Sequence, residues 1–474
     1  MKPNSRYELK RDLGPWAAAS IVVGTVIGSG IFLVPHDMIL RVGTPRWMFV
    51  VWIFGGLLTL AGALSYAELA AAIPEAGGEY AYLREAYGPV WGFLYSWTQM
   101  WVAKSGSIAT LATGFFYYLT NFFPALDGVF YRLPLLIGPH GAPLEFRWGQ
   151  LFAIVLIAAL AWLNYFGVKL GGEVQVAVTV VKVVLIVAII VAGLGLGSLH
   201  PAAPAGAVPL TPLTAAGFFA ALVAALWAYD GWNNVAMVAS EVRDPQRNLP
   251  LALIGGTVGV IVIYLLANAA YFLVLSPAEV GANPRVAGEM MRRILGSPGA
   301  GGVSIAAMIS IFAALNGSIL TGSRVPYAAA REGYFFRAIG RVDEKHRTPG
   351  MSILALCAWS ALLVLSGGYR QLFTYVIFAS WILYGMATAA VIVLRIKQPD
   401  LYRPYRTIGY PLVPILFVLV AGIFIVSTLL DSPRESLMGI ALILLGLPFY
   451  AYWSHRRGAG VAPGNSPDDM EPPV

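Results

Sequence analysis

Long apolar stretches separated by short polar segments dominate the pattern along this chain of 474 residues. Each stretch is about 20 residues or longer, the length that an α-helix needs to cross a lipid bilayer. The pattern predicts twelve such runs, at about 14–40, 44–72, 90–122, 148–167, 172–197, 213–240, 250–275, 299–330, 350–367, 371–396, 409–430 and 434–455. No segment between them is long enough for a soluble domain. The sequence therefore predicts an all-α polytopic membrane protein with 12 transmembrane helices.

The first run is interrupted near its middle. Gly24, Gly28 and Gly30 lie within seven positions, and a glycine in a helix interior costs about 1 kcal/mol relative to alanine. Within a membrane, a broken helix is tolerated where its bare backbone lines a cavity or a binding site. Close packing of helices at small residues is the alternative interpretation.

The sixth run has a matching interruption, which makes a binding site the favoured interpretation of both. An Asp230-Gly231 pair is followed by Trp232, Asn233 and Asn234, and aspartate, glycine and asparagine are all poor residues for a helix interior. Five helices separate the two breaks, so a second set of five helices enters the membrane from the opposite side. This is the pattern of inverted-repeat transporters, which bind their substrate near the midplane of the bilayer.

The repeat divides the chain into predicted segments. They are a cytoplasmic N-terminus at 1–12, a first repeat at 13–200, a second repeat at 201–398, helices 11 and 12 at 399–456, and a disordered cytoplasmic tail at 457–474. The tail is rich in proline, glycine and aspartate, a composition that does not support a packed core.

Charge supports this topology. Only 12% of the residues are charged, about half of the proportion usual in soluble domains. If the N-terminus is cytoplasmic, the inner segments hold 19 Lys and Arg residues and the outer segments hold 9. This asymmetry predicts that both termini are cytoplasmic and that the number of crossings is even. We expect a multi-pass protein of the plasma (inner) membrane.

Several kinds of chemistry are not indicated. The five histidines show no metal-ligand spacing, and Cys357 is the only cysteine, so no disulfide can form within the chain. We find no nucleophile and base at matching depths, and no filter sequence of a channel. The sequence therefore predicts neither an enzyme nor a metal or cofactor site, and the net charge of +7 is typical of cytoplasmic loops rather than of nucleic-acid binding.

The first break offers backbone groups of both polarities. The N–H groups of Ser29, Gly30 and Ile31 would open the outer half of the helix, where a carboxylate binds well. The carbonyl groups of Val26 or Ile27 would be free to accept hydrogen bonds from an ammonium group. A zwitterion needs both.

The second break contributes Trp227, Ala228 and Asp230. Trp227 offers a flat gate over the site, and unwound carbonyls near Ala228 could share the ammonium group. Two interpretations of Asp230 remain open: a partner for a cationic group, or a cap on freed backbone N–H groups. A carboxylate within a membrane is generally functional.

Polar residues in three other runs are further candidates. Lys182 lies at mid-depth in run 5, where lysine costs about 3 kcal/mol, and it could replace a coupling cation or titrate. Lys104 in run 3 is similar but ranks lower. Asn316 and Ser318 in run 8 either face the pore or bond neighbouring helices.

Five segments together carry a resemblance to a known family. They are GTVIGSGIF (24–32), SYAELAAAIPEAGGEYAYLREAYGPVWGF (65–93), LWAYDGWNNVAMVASEVRDPQRNLP (226–250), ALNGSILTGSRVPYAAAREGYF (314–335) and RPYRTIGYPLVP (403–414). With these segments the chain resembles, from about Leu13 to Trp453, the amino acid–polyamine–organocation superfamily in its L-type amino acid transporter branch. The resemblance implies a LeuT-like 5+5 inverted repeat with two extra helices. It also implies sodium-independent transport of L-amino acids, usually by obligatory exchange.

The resemblance also assigns roles to individual residues. It matches Gly28, Ser29 and Gly30 to the carboxylate-binding segment, Val26 and Ile27 to the amino-group carbonyls, and Trp227, Ala228 and Asp230 to the helix 6 part of the site. Lys182 matches a lysine that occupies the place of a sodium ion in sodium-coupled relatives, and Asn316 matches an asparagine close to the site.

One departure from the family concerns partners. Animal members pair with a heavy chain through a cysteine outside helices 3 and 4, and residues 121–150 contain none. We therefore expect no disulfide-linked heavy chain, as in bacterial members.

Three functional hypotheses follow. We favour an alternating-access carrier that exchanges L-amino acids, neutral and of small to medium size, across the plasma membrane. The nearest alternative is a proton-coupled transporter of cationic amino acids or polyamines, with Asp230 as the side-chain partner. A sensor that binds amino acids without moving them is the third. Specificity is expected to come from helices 3, 6 and 8.

Overall fold

The computed structural model describes residues 8–134, 144–197, 212–365, 369–431 and 433–459. Helices account for most of them. In chain order they are α1 Pro15–Val26, α2 Gly30–Val42, α3 Pro45–Ala72, α4 Glu79–Tyr87, α5 Pro89–Thr98, α6 Lys104–Leu119, α7 Trp148–Tyr165, α8 Val168–Leu196, α9 Ala215–Ala228, α10 Asn234–Met237, α11 Pro245–Val274, α12 Pro277–Ala282, α13 Val286–Gly322, α14 Arg324–Arg331, α15 Gly350–Leu365, α16 Tyr369–Lys397, α17 Leu412–Asp431, α18 Pro433–Leu444 and α19 Gly446–Ala459. A π-helical turn, Gln99–Ala103, joins α5 to α6, and short 3-10 turns lie at Pro124–Asp127, Ala239–Glu241 and Arg337–Gly340.

Helices occupy all twelve predicted runs. Among the described residues, nine helical segments are long and apolar enough to cross a membrane by length and composition. Two shorter apolar helices, Ala215–Ala228 and Gly350–Leu365, lie in further runs. The chain is therefore an all-α polytopic membrane protein, as the sequence predicts. The number of twelve crossings, the division into two repeats and the side on which the termini lie stay predictions.

Both predicted helix breaks are present. In the first run α1 ends at Val26 and α2 begins at Gly30. In the sixth run α9 ends at Ala228 and the next helical turn starts at Asn234. Gly231, between them, has a φ of 102°, a conformation that glycine adopts without steric cost.

Some boundaries differ from the sequence prediction. The eighth run begins at Val286 rather than near 299, because α13 continues through a kink at Gly296, where φ is 71°. The turn before the kink holds Arg292 and Arg293, so this part of the helix does not form an apolar run in the sequence. The predicted tail at 457–474 overlaps the last turn of α19, which extends to Ala459; its remainder lies outside the described residues.

A β-hairpin was not predicted. Strands β1 (Val129–Leu133) and β2 (Leu144–Arg147) pair antiparallel between α6 and α7. Four-residue and five-residue strands give too short an alternation to be distinguished from a loop in the sequence.

A buried ion pair and two backbone hydrogen bonds attach the segment that follows α10 to α14 and to the start of α1. Arg324 and Glu241 form a bidentate pair, with distances of 2.6 and 3.0 Å, in which both side chains are fully buried. The backbone N–H of Leu13 donates to the carbonyl of Glu241 (3.0 Å), and that of Arg243 donates to Leu13 (2.9 Å). The start of α1 is thereby joined to the segment that follows α10.

Candidate functional site

The two helix breaks meet at a cavity. It is narrow, with a volume of about 30 Å³. Its walls are formed by Thr25, Val26, Gly28, Ser29, Gly30, Ser107, Leu111, Trp227, Ala228, Asp230, Gly231, Asn234 and Ser318. Most of the predicted site residues therefore lie around one small space, and four helical runs contribute to it.

Direct contacts hold the two breaks against each other. A Cβ atom added at Gly30 would lie 2.8 Å from Cα of Ala228, so only glycine permits this approach. The Tyr264 hydroxyl lies within hydrogen-bond distance of two carbonyls, at 3.1 Å from Val26 and 2.8 Å from Ala228. The Thr25 hydroxyl donates to the carbonyl of Gly231 (2.9 Å). Val26 and Ala228 thus line the cavity, and the Tyr264 hydroxyl of α11 lies close to the carbonyls of both residues.

The start of α2 presents backbone donors. Phe32 and Leu33 donate to the carbonyl of Ser29, at 3.1 and 3.2 Å. The N–H groups before them, at Ser29, Gly30 and Ile31, are the donors that a helix start leaves without an intrahelical acceptor. Together with the helix dipole they favour an anionic group at this end of the cavity.

The end of α1 is bonded by the predicted lysine. Lys182 of α8 is fully buried, and its Nζ atom donates to the carbonyls of Gly24 and Ile27, both at 2.7 Å. The Ser310 hydroxyl also donates to Ile27 (2.8 Å). The Lys182 amine therefore lies against the broken helix, and its role as a replacement for a cation or as a titrating group stays a prediction. Because the Ile27 carbonyl already has these two donors, its predicted contact with substrate stays a prediction.

Asp230 lies at the cavity wall with partners of its own. Its Oδ1 atom accepts a hydrogen bond from the Tyr384 hydroxyl (3.0 Å), and the residue lines the cavity. Both interpretations from the sequence stay open.

Three predicted substrate-binding residues, Ile27, Ile31 and Asn316, are not among the cavity residues. The Asn316 amide donates to the carbonyl of Gly171 (3.3 Å) and to Gln175 (2.8 Å), and its oxygen accepts from Asn164 (2.8 Å). It bonds α7, α8 and α13 together and is not among the cavity residues. Ile31 is fully buried without lining the cavity. Their predicted contact with substrate is untested.

Sequence reasoning missed several cavity residues. Ser107 and Leu111 lie on one face of α6, and Asn234 begins α10. The only signal was their position: Asn234 is part of the second break, and Ser107 follows Lys104 within one helical turn. Lys104 does not line the cavity but contacts Asn234 directly, with 2.7 Å between Nζ and Oδ1.

Metal ligands are not clustered here. Within the described ranges, no group of three or more His, Cys, Asp or Glu side chains could hold a metal ion. The residues that line the cavity offer backbone groups, hydroxyl groups, an amide and a carboxylate.

Comparisons with known proteins give one matching family and several similar proteins. The sequence profile of a family described as "Amino acid permease" matches residues 13–447. The chain is similar to the "Serine/threonine exchanger SteT" of Bacillus subtilis (strain 168), at 33% identity over 95% of this chain and 98% of the relative. It is also similar to the mouse "b(0,+)-type amino acid transporter 1", at 32% identity over 93% of this chain and 88% of the relative. A third relative is the rabbit "Large neutral amino acids transporter small subunit 2", at 32% identity over 94% of this chain and 82% of the relative.

Proposed function

Because this chain belongs to the amino acid permease family, we propose that it is a sodium-independent, alternating-access exchanger of L-amino acids. The family consists of transporters rather than enzymes. The names of three similar proteins describe two amino acid transporters and one exchanger, which supports amino acids as substrates.

One observation carries the proposal: the cavity between the two breaks offers complementary groups for a zwitterion. The start of α2 provides N–H donors from Ser29 to Ile31 for the carboxylate. Val26 and Ala228 line the same cavity, and under this proposal a second lone pair of their carbonyls accepts from the ammonium group. These contacts would recognise the part that all amino acids share.

The position of Lys182 supports independence from sodium. Its ammonium group bonds the two carbonyls that the first break releases. A bound cation would satisfy the same carbonyls in a sodium-coupled carrier, so a fixed charge removes the need for one. Because the charge is part of the chain, it cannot be released with the substrate.

The favoured substrates are neutral and of small to medium size. The cavity is small, and Asp230 already accepts from Tyr384. The second candidate is a proton-coupled carrier of cationic amino acids or polyamines, and the position of Asp230 at the cavity wall favours it. Under the main proposal both termini are cytoplasmic in the plasma membrane, and the chain acts without a disulfide-linked heavy chain, since residues 121–150 hold no cysteine.

Counterflow in proteoliposomes tests the proposal. We expect purified protein to accumulate labelled L-alanine when unlabelled L-alanine is trapped inside, and equally well when sodium is replaced by choline. Liposomes without protein should accumulate much less. Binding of L-alanine without counterflow would indicate a sensor. Uptake driven by a proton gradient into proteoliposomes that contain no alanine would favour the proton-coupled alternative.

A further inference from the structure

The Asn234 side chain is a buried amide at the wall of the cavity. It is the first residue of α10, only 2% of its surface is exposed, and it lies beside Asp230 and Gly231 in the lining. It belongs to the second break, whereas the N–H groups of α2 belong to the first. A side chain here would meet the variable part of an amino acid.

Lys104 fixes which end of this amide faces the substrate. An ammonium group has only donors, so it can bond the amide only through its oxygen. The Lys104 Nζ atom lies 2.7 Å from Oδ1 of Asn234, and this chemistry assigns the orientation of the amide. Because oxygen and nitrogen share one carbon atom, fixing the oxygen also fixes the Nδ2 donor.

The Nδ2 donor is available. In the part of the chain that the structure describes, it donates to no protein acceptor, and it is not among the polar atoms sealed away from open space. The neighbouring Asn233 differs: its amide nitrogen donates to Glu79, and its oxygen is buried without a partner. Two adjacent amides thus serve different purposes, and only that of Asn234 reaches the cavity.

The local structure holds Lys104 in place. The π-helical turn Gln99–Ala103 precedes it directly, and such turns occur frequently at functional sites. The Ser105 hydroxyl donates to the carbonyl of Met100 within this turn (2.8 Å). The stem of Lys104 packs against Gly322, where any Cβ atom would collide with it. The lysine is therefore buried, confined and aimed at Asn234.

We propose that Asn234, oriented by Lys104, donates a hydrogen bond to an oxygen atom of the substrate side chain. The inference rests on the proposed function and makes it narrower: serine and threonine are preferred to alanine and valine. The hydroxyl groups of Ser107 and Ser318 line the same cavity and add polar surface. Lys104 is a positioning residue, because it acts on the substrate through Asn234.

Threonine and valine are nearly identical in shape, so they isolate the hydrogen bond. A site built to bond a hydroxyl group rejects the analogue without it, because its buried donor then lacks a partner. We expect threonine to inhibit exchange of labelled serine at a concentration at least about tenfold lower than valine does. Equal inhibition by the two would overturn the proposal with the wild-type protein alone.

Variants in proteoliposomes separate the two residues. In Asn234→Leu the ratio of the inhibitory concentration of valine to that of threonine should fall close to one, because threonine binds more weakly. Lys104→Met should also reduce the ratio, because the amide is then free to rotate, whereas Lys104→Arg retains a donor and should retain the preference. A merely structural role of Lys104 would lower the exchange rate without changing the ratio.

A matched control removes a buried amide elsewhere. Asn268 of α11 is fully buried and donates to the carbonyl of Tyr264 in its own helix, so Asn268→Leu should leave the threonine preference unchanged. Selectivity that survives Asn234→Leu would contradict the inference. If Asn234→Leu does not fold, the wild-type ratio and the Lys104 pair decide the question. A wild-type protein that exchanges no amino acid would instead contradict the proposed function.

Discussion

The two helix breaks differ in what they present to the cavity. The break between α1 and α2 is formed by glycine, serine and isoleucine and offers backbone groups, with Lys182 and Ser310 holding its carbonyls. The break between α9 and α10 offers side chains, Asp230 and Asn234, each with a partner on another helix. Backbone groups suit what every amino acid shares, while side chains can distinguish one substrate from another. We therefore expect changes at the first break to affect all substrates equally and changes at the second to alter selectivity.

The largest effect is expected at Lys182. In Lys182→Met the carbonyls of Gly24 and Ile27 lose a buried donor, and each unsatisfied group costs about 1–3 kcal/mol. We expect the exchange rate to fall at least about 100-fold for alanine, serine and threonine alike. The control Lys169→Met alters an exposed lysine that pairs loosely with Glu173 and should leave the rate unchanged. Selective loss of one substrate would contradict the expectation that the first break serves all substrates equally.

Gly30 should be nearly as sensitive. In Gly30→Ala the new methyl group would lie 2.8 Å from Cα of Ala228, and relieving such a clash costs about 1–3 kcal/mol while it moves the N–H groups of α2. We expect exchange to decrease about 10- to 100-fold, again for every substrate. Gly255→Ala, at a position with no neighbouring atom within 4 Å, is the matched control, and an equal loss there would show a general effect on folding.

The Tyr264 hydroxyl lies near one carbonyl of each break, so its variant tests whether this contact affects all substrates or selectivity. Tyr264→Phe removes the hydroxyl group near the carbonyls of Val26 and Ala228, a loss of about 1 kcal/mol. The half-saturating concentration should rise about fivefold for threonine and valine together, which leaves their ratio intact. Competition curves with both amino acids measure these concentrations. A change in the ratio of the valine to the threonine concentration would show that Tyr264 contributes to selectivity, as expected for the break between α9 and α10.

The smallest effect is expected for Asp230→Asn. The amide can still accept from Tyr384, so uptake of alanine or leucine should stay within about threefold of wild type. If the cationic alternative is correct, this variant instead abolishes competition by arginine that the wild-type protein shows. Uptake of labelled alanine with arginine as competitor distinguishes these outcomes.

Much of the fold could be predicted from the sequence because the membrane restricts the possibilities. Helices occupy all twelve predicted runs, and both breaks lie where glycine and asparagine interrupt them. The hairpin at Val129–Leu133 and Leu144–Arg147 was missed because its strands are too short to establish a period. The polar beginning of α13 was missed because arginine residues conceal an amphipathic helix.

Within the site, the sequence determined the elements that depend on local backbone chemistry. Gly28, Ser29 and Gly30 could be identified because glycines interrupt the first run near its middle and the sixth run has a matching break, and they line the cavity. A lysine at mid-depth identified Lys182 as special because its burial is costly. Neither inference needs to know which helices are neighbours.

The packing of the helices determines which side chains line the cavity and which partners they bond, and the sequence did not reveal either. It placed Asn316 among Asn164, Gln175 and Gly171, and it brought Ser107 and Asn234 to the cavity wall from runs more than 120 positions apart. The orientation of the Asn234 amide depends on Lys104, which is distant in sequence. Partners of this kind are set by the packing of helices, and the order of residues along one helix does not specify the face of another.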